Sequence, residues 1–479
     1  MVLKNRSFVL LLAGMLMLCR HAEGQDNGVS EIPSHASVSA LIVNMTSGDH
    51  VFEISPARTL TSASLMKLVT TATALERLEP DHTFSTRFWA TGPVENRILK
   101  GDLILEGGGD PTLGSRYFDE NGPGKVLSQI ETFLEKEGIE YIDGAILVDE
   151  HYLRGSRYPS RRLWEDMGNY YGAPPAALSW KDNTFKLELT SPSTPGEICH
   201  VASTEPHIPG VSFDCRVRAA THKKDSAYIY GVPGMPSYEV RGSIPAGRSS
   251  FIIKGAIPEP GLMLAGEVSD LFPEMEGVTV SKTDHQSWKK NARLLGEIVS
   301  PPLEKIIREI NRHSINLAAD HILVALGRAG SDTLSTDWDK GLRSIRDHWE
   351  KQIGDHYINI RDGSGLAPMN TLSAGFLVDM LHYMYQESPH FGAFKRSLAQ
   401  SGGSGTLKNM WKEKGLKGRV FGKSGYMGDV AGYAGYVLRP GEAPLAFAFL
   451  VNHHGMEGAE MREIVENLGY EAFGESKKD

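Results

Sequence analysis

Residues Thr61–Pro80 read TSASLMKLVTTATALERLEP. A short cluster of small polar residues leads into a run of apolar and small residues with the composition of a buried helix. Ser64 and Lys67 stand three apart at its head, so on a helix they share a face. A helix start presents unpaired N–H groups and a partial positive charge. A serine placed there can attack a carbonyl while those N–H groups hold the developing oxyanion. A lysine one turn on can take the serine proton, provided its pKa falls from about 10.4 towards neutrality. The S-x-x-K spacing alone is weak, because average residue usage gives about one or two in a chain of this length. The bland alternative is a serine capping the helix. A second such pair, Ser287 and Lys290 in SWKK, lacks the apolar helix start and reads as a solvated helix face.

Outward from this helix, SVSALIVNM (Ser37–Met45) and VFEIS (Val51–Ser55) read as two strands joined by the turn TSGDH. The far end of the chain mirrors them. VAGYAGYVL (Val430–Leu438) and LAFAFLVNH (Leu445–His453) read as strands, and a helix follows over roughly Gly458–Phe473. One antiparallel sheet closed by both ends of the chain, with helices between, accounts for this order. Residues 86–285 have a different texture of short strands and many turns, among them LILEGGGDPTLG, DGAILVDE, TFKLELTSP and SFIIKGAIPEPG. They read as a mostly β insertion of two subdomains that divides the main domain into 25–85 and 286–479. From about Trp288 helical periodicity is expected again, in SWKKNARLLGEIV, PLEKIIREINRHSINLAADHILVALG and LSAGFLVDMLHYMYQE.

Two further clusters accompany Ser64 and Lys67. HSINLAADHIL places Ser314 and Asn316 in S-x-N spacing at the start of a helix, and FGKSGYMGDVAGYAGYV places Lys423, Ser424 and Gly425 on the approach to a strand. Singly they reduce to a capping serine, a polar loop and a strand-edge lysine. The ordered series S-x-x-K, S-x-N, K-[ST]-G is a different matter. Average usage puts that coincidence below about one in a hundred.

The chain has 479 residues, 41% of them hydrophobic, enough for several cores, and a formal net charge of −9. With no long basic run, nucleic acid is not an expected partner. Lys4 and Arg6, the apolar stretch Phe8–Leu18 and the small residues of Ala22–Gly24 together read as a cleaved secretory signal over residues 1–24. Cys19 raises a lipoprotein alternative, but Leu18 stands where a lipobox needs a small residue. No second apolar run reaches membrane length, so no stable membrane anchor is expected. Export implies an oxidising compartment, periplasmic or extracellular, in which Cys199 and Cys215 are expected to pair, two free buried thiols being the alternative.

The three motifs, with LEGGGDPTL, YYGAPPAAL, SINLAAD and DGSGLAPMN, resemble the penicillin-recognising serine enzymes. Within these the chain is similar to the D-alanyl-D-alanine carboxypeptidase/endopeptidase family of the penicillin-binding protein 4 type, serine peptidase family S13, over nearly its whole mature length. The second motif reads S-I-N rather than S-D-N and the third K-S-G rather than K-T-G, but the hydroxyl and amide groups are kept. The resemblance implies an α+β fold, a penicillin-binding transpeptidase-like domain whose antiparallel sheet is flanked by helices and split by a large insertion. It implies hydrolysis of peptidoglycan stem peptides, and acylation by β-lactams, through Ser64. Lys67 would then be the base, with its pKa lowered by burial and by Lys423. Ser314 would relay a proton to the leaving nitrogen, and Asn316 would hold the substrate amide. Lys423 and Ser424 would bind the terminal carboxylate. The N–H groups of Ser64 and Tyr426 would form the oxyanion hole, with Gly425 leaving room for substrate. No metal or other cofactor is implied. In LWEDMGNYYGAPPAAL the resemblance points to Asp166 as the group that meets a side-chain amine of the stem peptide, against the alternative of a surface loop charge.

Other readings have less behind them. A zinc peptidase would need a motif such as H-E-x-x-H, absent among the 17 histidines, and an α/β-hydrolase would need G-x-S-x-G, also absent. A β-lactamase-related esterase is disfavoured by the insertion, and a binding protein without turnover by the complete set of catalytic groups.

Overall fold

In a computed structural model, residues 31–473 are described, apart from 273–278, 284, 331–334 and 414. The expected signal segment 1–24 and Cys19 lie outside the described residues.

Alternating side chains build the central sheet. In Ser37–Asn44 and Leu445–Asn452 the residues Leu41, Val43, Ala446, Ala448 and Leu450 face one apolar cluster, while Ala40, Ile42, Phe447, Phe449 and Val451 face another. Both faces are therefore covered. Helices Met66–Leu78, Leu303–His313, Asn316–Arg328, Asp337–Ile353 and Ala374–Gln386 pack on the first. The C-terminal helix Gly458–Ala472 packs on the second, through Met461, Ile464, Val465 and Leu468. The sheet runs His50–Ile54, Ser37–Asn44, Leu445–Asn452, Val430–Val437, Val420–Met427, Ala399–Gln400, antiparallel throughout. N-terminal and C-terminal strands are neighbours, as the alternation at both ends of the sequence anticipates.

The intervening chain forms further sheets. A mixed five-stranded one runs Thr279–Thr283, Ala145–Asp149, Leu103–Glu106, Ser85–Ala90, Arg293–Val299. Helices Pro123–Lys136 and Pro260–Ser269 pack against it. A separate apolar cluster gathers Phe185, Leu187, Ile229, Tyr238 and Val240 between two smaller sheets.

Two expectations are corrected here. The segment from Trp288, expected to be helical, is a short 3-10 turn, Ser287–Lys290, followed by the strand Arg293–Val299 paired with Ser85–Ala90. Gly296 disfavours helix, and a Cβ there would lie 2.4 Å from the ring of Phe133, so the sheet closes over that ring only because the position is glycine. Cys199 and Cys215, expected to be bonded, are free thiols. Cys199 packs as a small apolar side chain in the same cluster as Val217 and Ile244.

Candidate active site

The helix that carries Lys67 begins one residue after a 3-10 turn, Ala63–Leu65, that carries Ser64. Neither the turn nor the helix is capped by a side chain, which removes the capping explanation for the serine. Ala63 at φ +42° puts a left-handed step just before the nucleophile position. Lys67 is buried, and its Nζ donates to Ser64 Oγ at 3.0 Å, Asn316 Oδ1 at 2.6 Å and the Ser364 carbonyl at 2.6 Å. Three acceptors match the three donors of an ammonium.

Ser314 lies between helices Leu303–His313 and Asn316–Arg328 and has φ +58°, ψ +44°. This left-handed residue breaks what the sequence presents as one long helical run. It aims Ser314 Oγ at Lys423 Nζ, 3.0 Å away. Lys423 is buried and also donates to the Ser424 carbonyl at 2.6 Å. Asn316 opens the following helix, and its Nδ2 donates to the Tyr171 carbonyl at 2.8 Å.

The strand Val420–Met427 pairs along its whole length with Val430–Val437, but with Ala399–Gln400 only at Phe421 and Gly422. Among the described residues its other edge has no strand partner from Lys423 to Met427, beside Ser64. A Cβ on Gly425 would sit 3.0 Å from the Ser64 nitrogen and 3.2 Å from the Leu65 nitrogen, so glycine lets this strand lie against the nucleophile turn. On the other flank Gly365, at φ +81°, presses the Asp362–Asn370 loop onto Ala63, where a Cβ would meet the carbonyl oxygen at 1.8 Å.

Burial dominates the electrostatics. It brings the Lys67 ammonium down from 10.5 to about 7, against the pull of Asp320 and Asp362 and with the help of Arg162. Burial, and then the charge of Lys67, hold Lys423 well below the usual lysine range. Arg162 is thus a cation that lowers Lys67 from the far side of the cluster, while Lys67 and Lys423 repel each other. Arg162 itself is buried against Asp320 at 2.8 Å and Asp362 at 3.1 Å. Burial also raises Asp320 to about 6, opposed by Arg162.

Two lobes of a cleft, about 670 and about 430 Å³, meet at Ser64 and Ser314. The larger is lined by Asn316, Tyr171, Asp166, Leu163 and Met427. Burial raises Asp166 to about 6, with Arg162 pulling it down, and its side chain is bonded to Tyr171. The smaller lobe holds Ser424, Tyr433 and the cations Lys408 and Arg462, and Tyr426 lines both. Ser64, Lys67, Ser314, Asn316, Lys423, Ser424, Gly425, Tyr426 and Asp166 thus converge on one cleft. The pair in SWKK does not join them. Ser287 Oγ is bonded to His285 at 2.8 Å, and Lys290 is exposed beside a buried Trp288.

Sequence reasoning missed Arg162, Asp320, Asp362, Ser364 and Tyr171 as site residues. Asp320 had a signal, standing four residues after Asn316 on the same helix face. DGSGLAPMN contains Asp362 and Ser364. Arg162, 158 residues distant from Asp320 in the chain, had none that spacing reveals.

Among known proteins, the D-alanyl-D-alanine carboxypeptidase of an Actinomadura species is 28% identical over 436 residues, covering 86% of this chain and 77% of the relative. The D-alanyl-D-alanine carboxypeptidase DacB of Haemophilus influenzae is 22% identical over 450 residues, covering 90% and 88%. The crystal structure of penicillin binding protein 4 from H. influenzae superposes with a TM-score of 0.80 at 20% identity, covering 94% of this chain and 99% of that one. The same protein complexed with a β-lactam superposes at 0.74, with the same identity and coverage. These superpositions establish a shared fold. The match to the family model extends from residue 26 to 469, and the chain belongs to the D-Ala-D-Ala carboxypeptidase 3 (S13) family.

Proposed function

We propose that this protein is a serine-type D-alanyl-D-alanine carboxypeptidase, exported across the inner membrane, that hydrolyses peptidoglycan stem peptides through an acyl-enzyme on Ser64 and also opens cross-links as an endopeptidase. The contact that carries the reading is that between Lys67 and Ser64, a buried lysine brought to about 7 with its Nζ 3.0 Å from a hydroxyl at the cleft's centre. Neutral Lys67 takes the proton of Ser64 as Oγ attacks the carbonyl between the two D-alanines. The oxyanion is received by the N–H groups of Ser64 and Tyr426. Ser314, with Lys423 at its back, relays the proton taken up by Lys67 to the leaving nitrogen, and water then attacks the acyl-enzyme, its oxygen leaving with the acyl group as a carboxylic acid and one hydrogen returning to Ser64 Oγ.

Lys423 has no exposed surface and donates to Ser314 Oγ and to the Ser424 backbone carbonyl, so its action on a substrate carboxylate runs through Ser314 and through the field of its charge. The carboxylate of the leaving D-alanine is met by Ser424 in the smaller lobe, whose field is set by Lys408 and Arg462. Asn316 holds the substrate amide, and Asp166 takes an ammonium on the stem peptide in the larger lobe. β-Lactams, which one structural relative binds, would acylate the same serine. Among the described residues no helix is long and apolar enough to cross a membrane.

Intact-mass measurement after incubation with benzylpenicillin tests the reading. One covalent adduct is expected on the native protein and none on Ser64→Ala. An adduct kept by Ser64→Ala, or no adduct on folded native protein, refutes it. A cross-linked muropeptide dimer tests endopeptidase action separately.

A further inference from the structure

The segment between the two halves of the helical domain returns to the catalytic centre at one place. Arg162 reaches in with a side chain of zero exposure and meets two carboxylates that are equally buried, Asp320 and Asp362, at 2.8 and 3.1 Å. Each carboxylate organises backbone near Lys67. Asp362 accepts from the N–H of Gly365 at 2.7 Å, the N–H of Ala367 at 2.8 Å and Asn370 Nδ2 at 2.9 Å, which fixes the tight loop. Asp320 accepts from the Gly363 N–H at 3.0 Å and lies on the helix that Asn316 opens. Between these anchors sits Ser364, whose carbonyl accepts from Lys67.

We propose that Arg162 is a positioning residue for acylation: its guanidinium bridges Asp320 and Asp362, and so fixes the Ser364 carbonyl and the charge surroundings in which Lys67 exchanges its proton. This rests on Lys67 serving as the base of Ser64. Both contacts leave one nitrogen, Nη2, while Nη1 donates to the Gly172 carbonyl at 3.4 Å, so the planar guanidinium ties the two carboxylates to the inserted segment at fixed angles, which the point charge of an ammonium does not do. The balance of charge matters as much as the geometry. The charged groups bearing on Lys67 are Asp320 from its helix, Asp362 from the loop, Arg162 from the inserted segment and Lys423 from the sheet. Without Arg162 two carboxylates would face Lys67 uncompensated and would hold its proton in place. The insertion is thereby a working part of the catalytic centre. Tyr171, nine residues on, adds a carbonyl to Asn316 from the same segment.

The experiment is the pH profile of acylation by a chromogenic cephalosporin, with thermal unfolding run in parallel, on Arg162→Gln, Arg162→Lys and Asp320→Asn. The acid limb, below which Lys67 is protonated and acylation stops, is expected to move up by about one pH unit or more in Arg162→Gln. It is expected to move down in Asp320→Asn, where a carboxylate that favours the ammonium is gone. Arg162→Lys keeps a cation but loses the planar geometry and the contact to Gly172, so its limb should stay near that of wild type while its plateau rate falls at least about tenfold. Unmoved limbs in Arg162→Gln and Asp320→Asn, with losses only in thermal stability, would reduce the cluster to a structural strut. A wild-type rate in Arg162→Lys would remove the bridge. Should Arg162→Gln not fold, the rate of Arg162→Lys and the limb of Asp320→Asn decide. Wild-type acylation, measured alongside, tests the reading of Ser64 independently.

Discussion

Replacing Lys67 with methionine should abolish acylation and, at the same time, change how stability depends on pH. The lysine is buried and its pKa is brought from 10.5 to about 7. Unfolded chains carry it protonated up to about 10.4. Between these values the unfolded state binds a proton that the folded state does not, so folded stability rises with pH through this window. Below about 7 both states are protonated, and the cost of burying the cation is felt in full. Above the unfolded value both are neutral and that cost vanishes. The slope is about 1.4 kcal/mol per pH unit, so wild type should gain about 3 kcal/mol relative to Lys67→Met between pH 7 and 9. Methionine fills similar volume, and its failure to satisfy Asn316 Oδ1 and the Ser364 carbonyl adds an offset that does not vary over this range. Urea unfolding of both proteins at half-unit steps of pH measures the difference, and groups that do not feel the charge of Lys67 cancel. A stability difference that is flat from pH 7 to 9 would mean that Lys67 remains an ordinary charged lysine, and would remove it as the base of Ser64. Lys67→Arg should be as inactive as Lys67→Met, because a guanidinium does not give up its proton.

Further outcomes are expected elsewhere in the cleft. Gly425→Ala should keep the fold but slow penicillin acylation by about tenfold or more, since its Cβ would push on the Ser64 nitrogen at 3.0 Å; an unchanged rate would mean that the strand and the nucleophile turn can part freely. Asp166→Ala should weaken turnover of a stem peptide with a free side-chain amine by about 1–3 kcal/mol and affect the acetylated peptide much less. In wild type that preference should fade as pH falls through about 6, where Asp166 takes up a proton; equal losses on both peptides would assign Asp166 to structure. Lys290→Ala should leave acylation intact, and a large loss without unfolding would place the site elsewhere.

The S13 membership of the chain was legible in short spans, for a physical reason. Ser64 and Lys67 are one helical turn apart, Ser314 and Asn316 two residues apart, and Lys423 to Tyr426 lie on one strand, so local geometry holds each group before any tertiary contact forms. The alternation in Ser37–Met45 and Leu445–His453 likewise announces a sheet with one residue set to each face, and hence the joining of the two ends of the chain. What spacing does not encode is which long-range neighbour supplies the missing charge. Arg162 is an ordinary arginine in RRLWEDM until folding takes it out of water and sets it between Asp320 and Asp362. The same holds for Arg293–Val299, whose apolar residues fit a helix period, but whose Gly296 and pairing with Ser85–Ala90 make it a strand. Cys199 and Cys215 follow suit, since apolar packing rather than bonding is what the fold gives them. Sequence by itself determined the three motifs and the closing of the sheet, because those rest on contacts within a few residues or on a two-residue period. Tertiary structure alone decided how Lys67 comes to sit near neutrality, because that depends on burial and on charges from three separated parts of the chain.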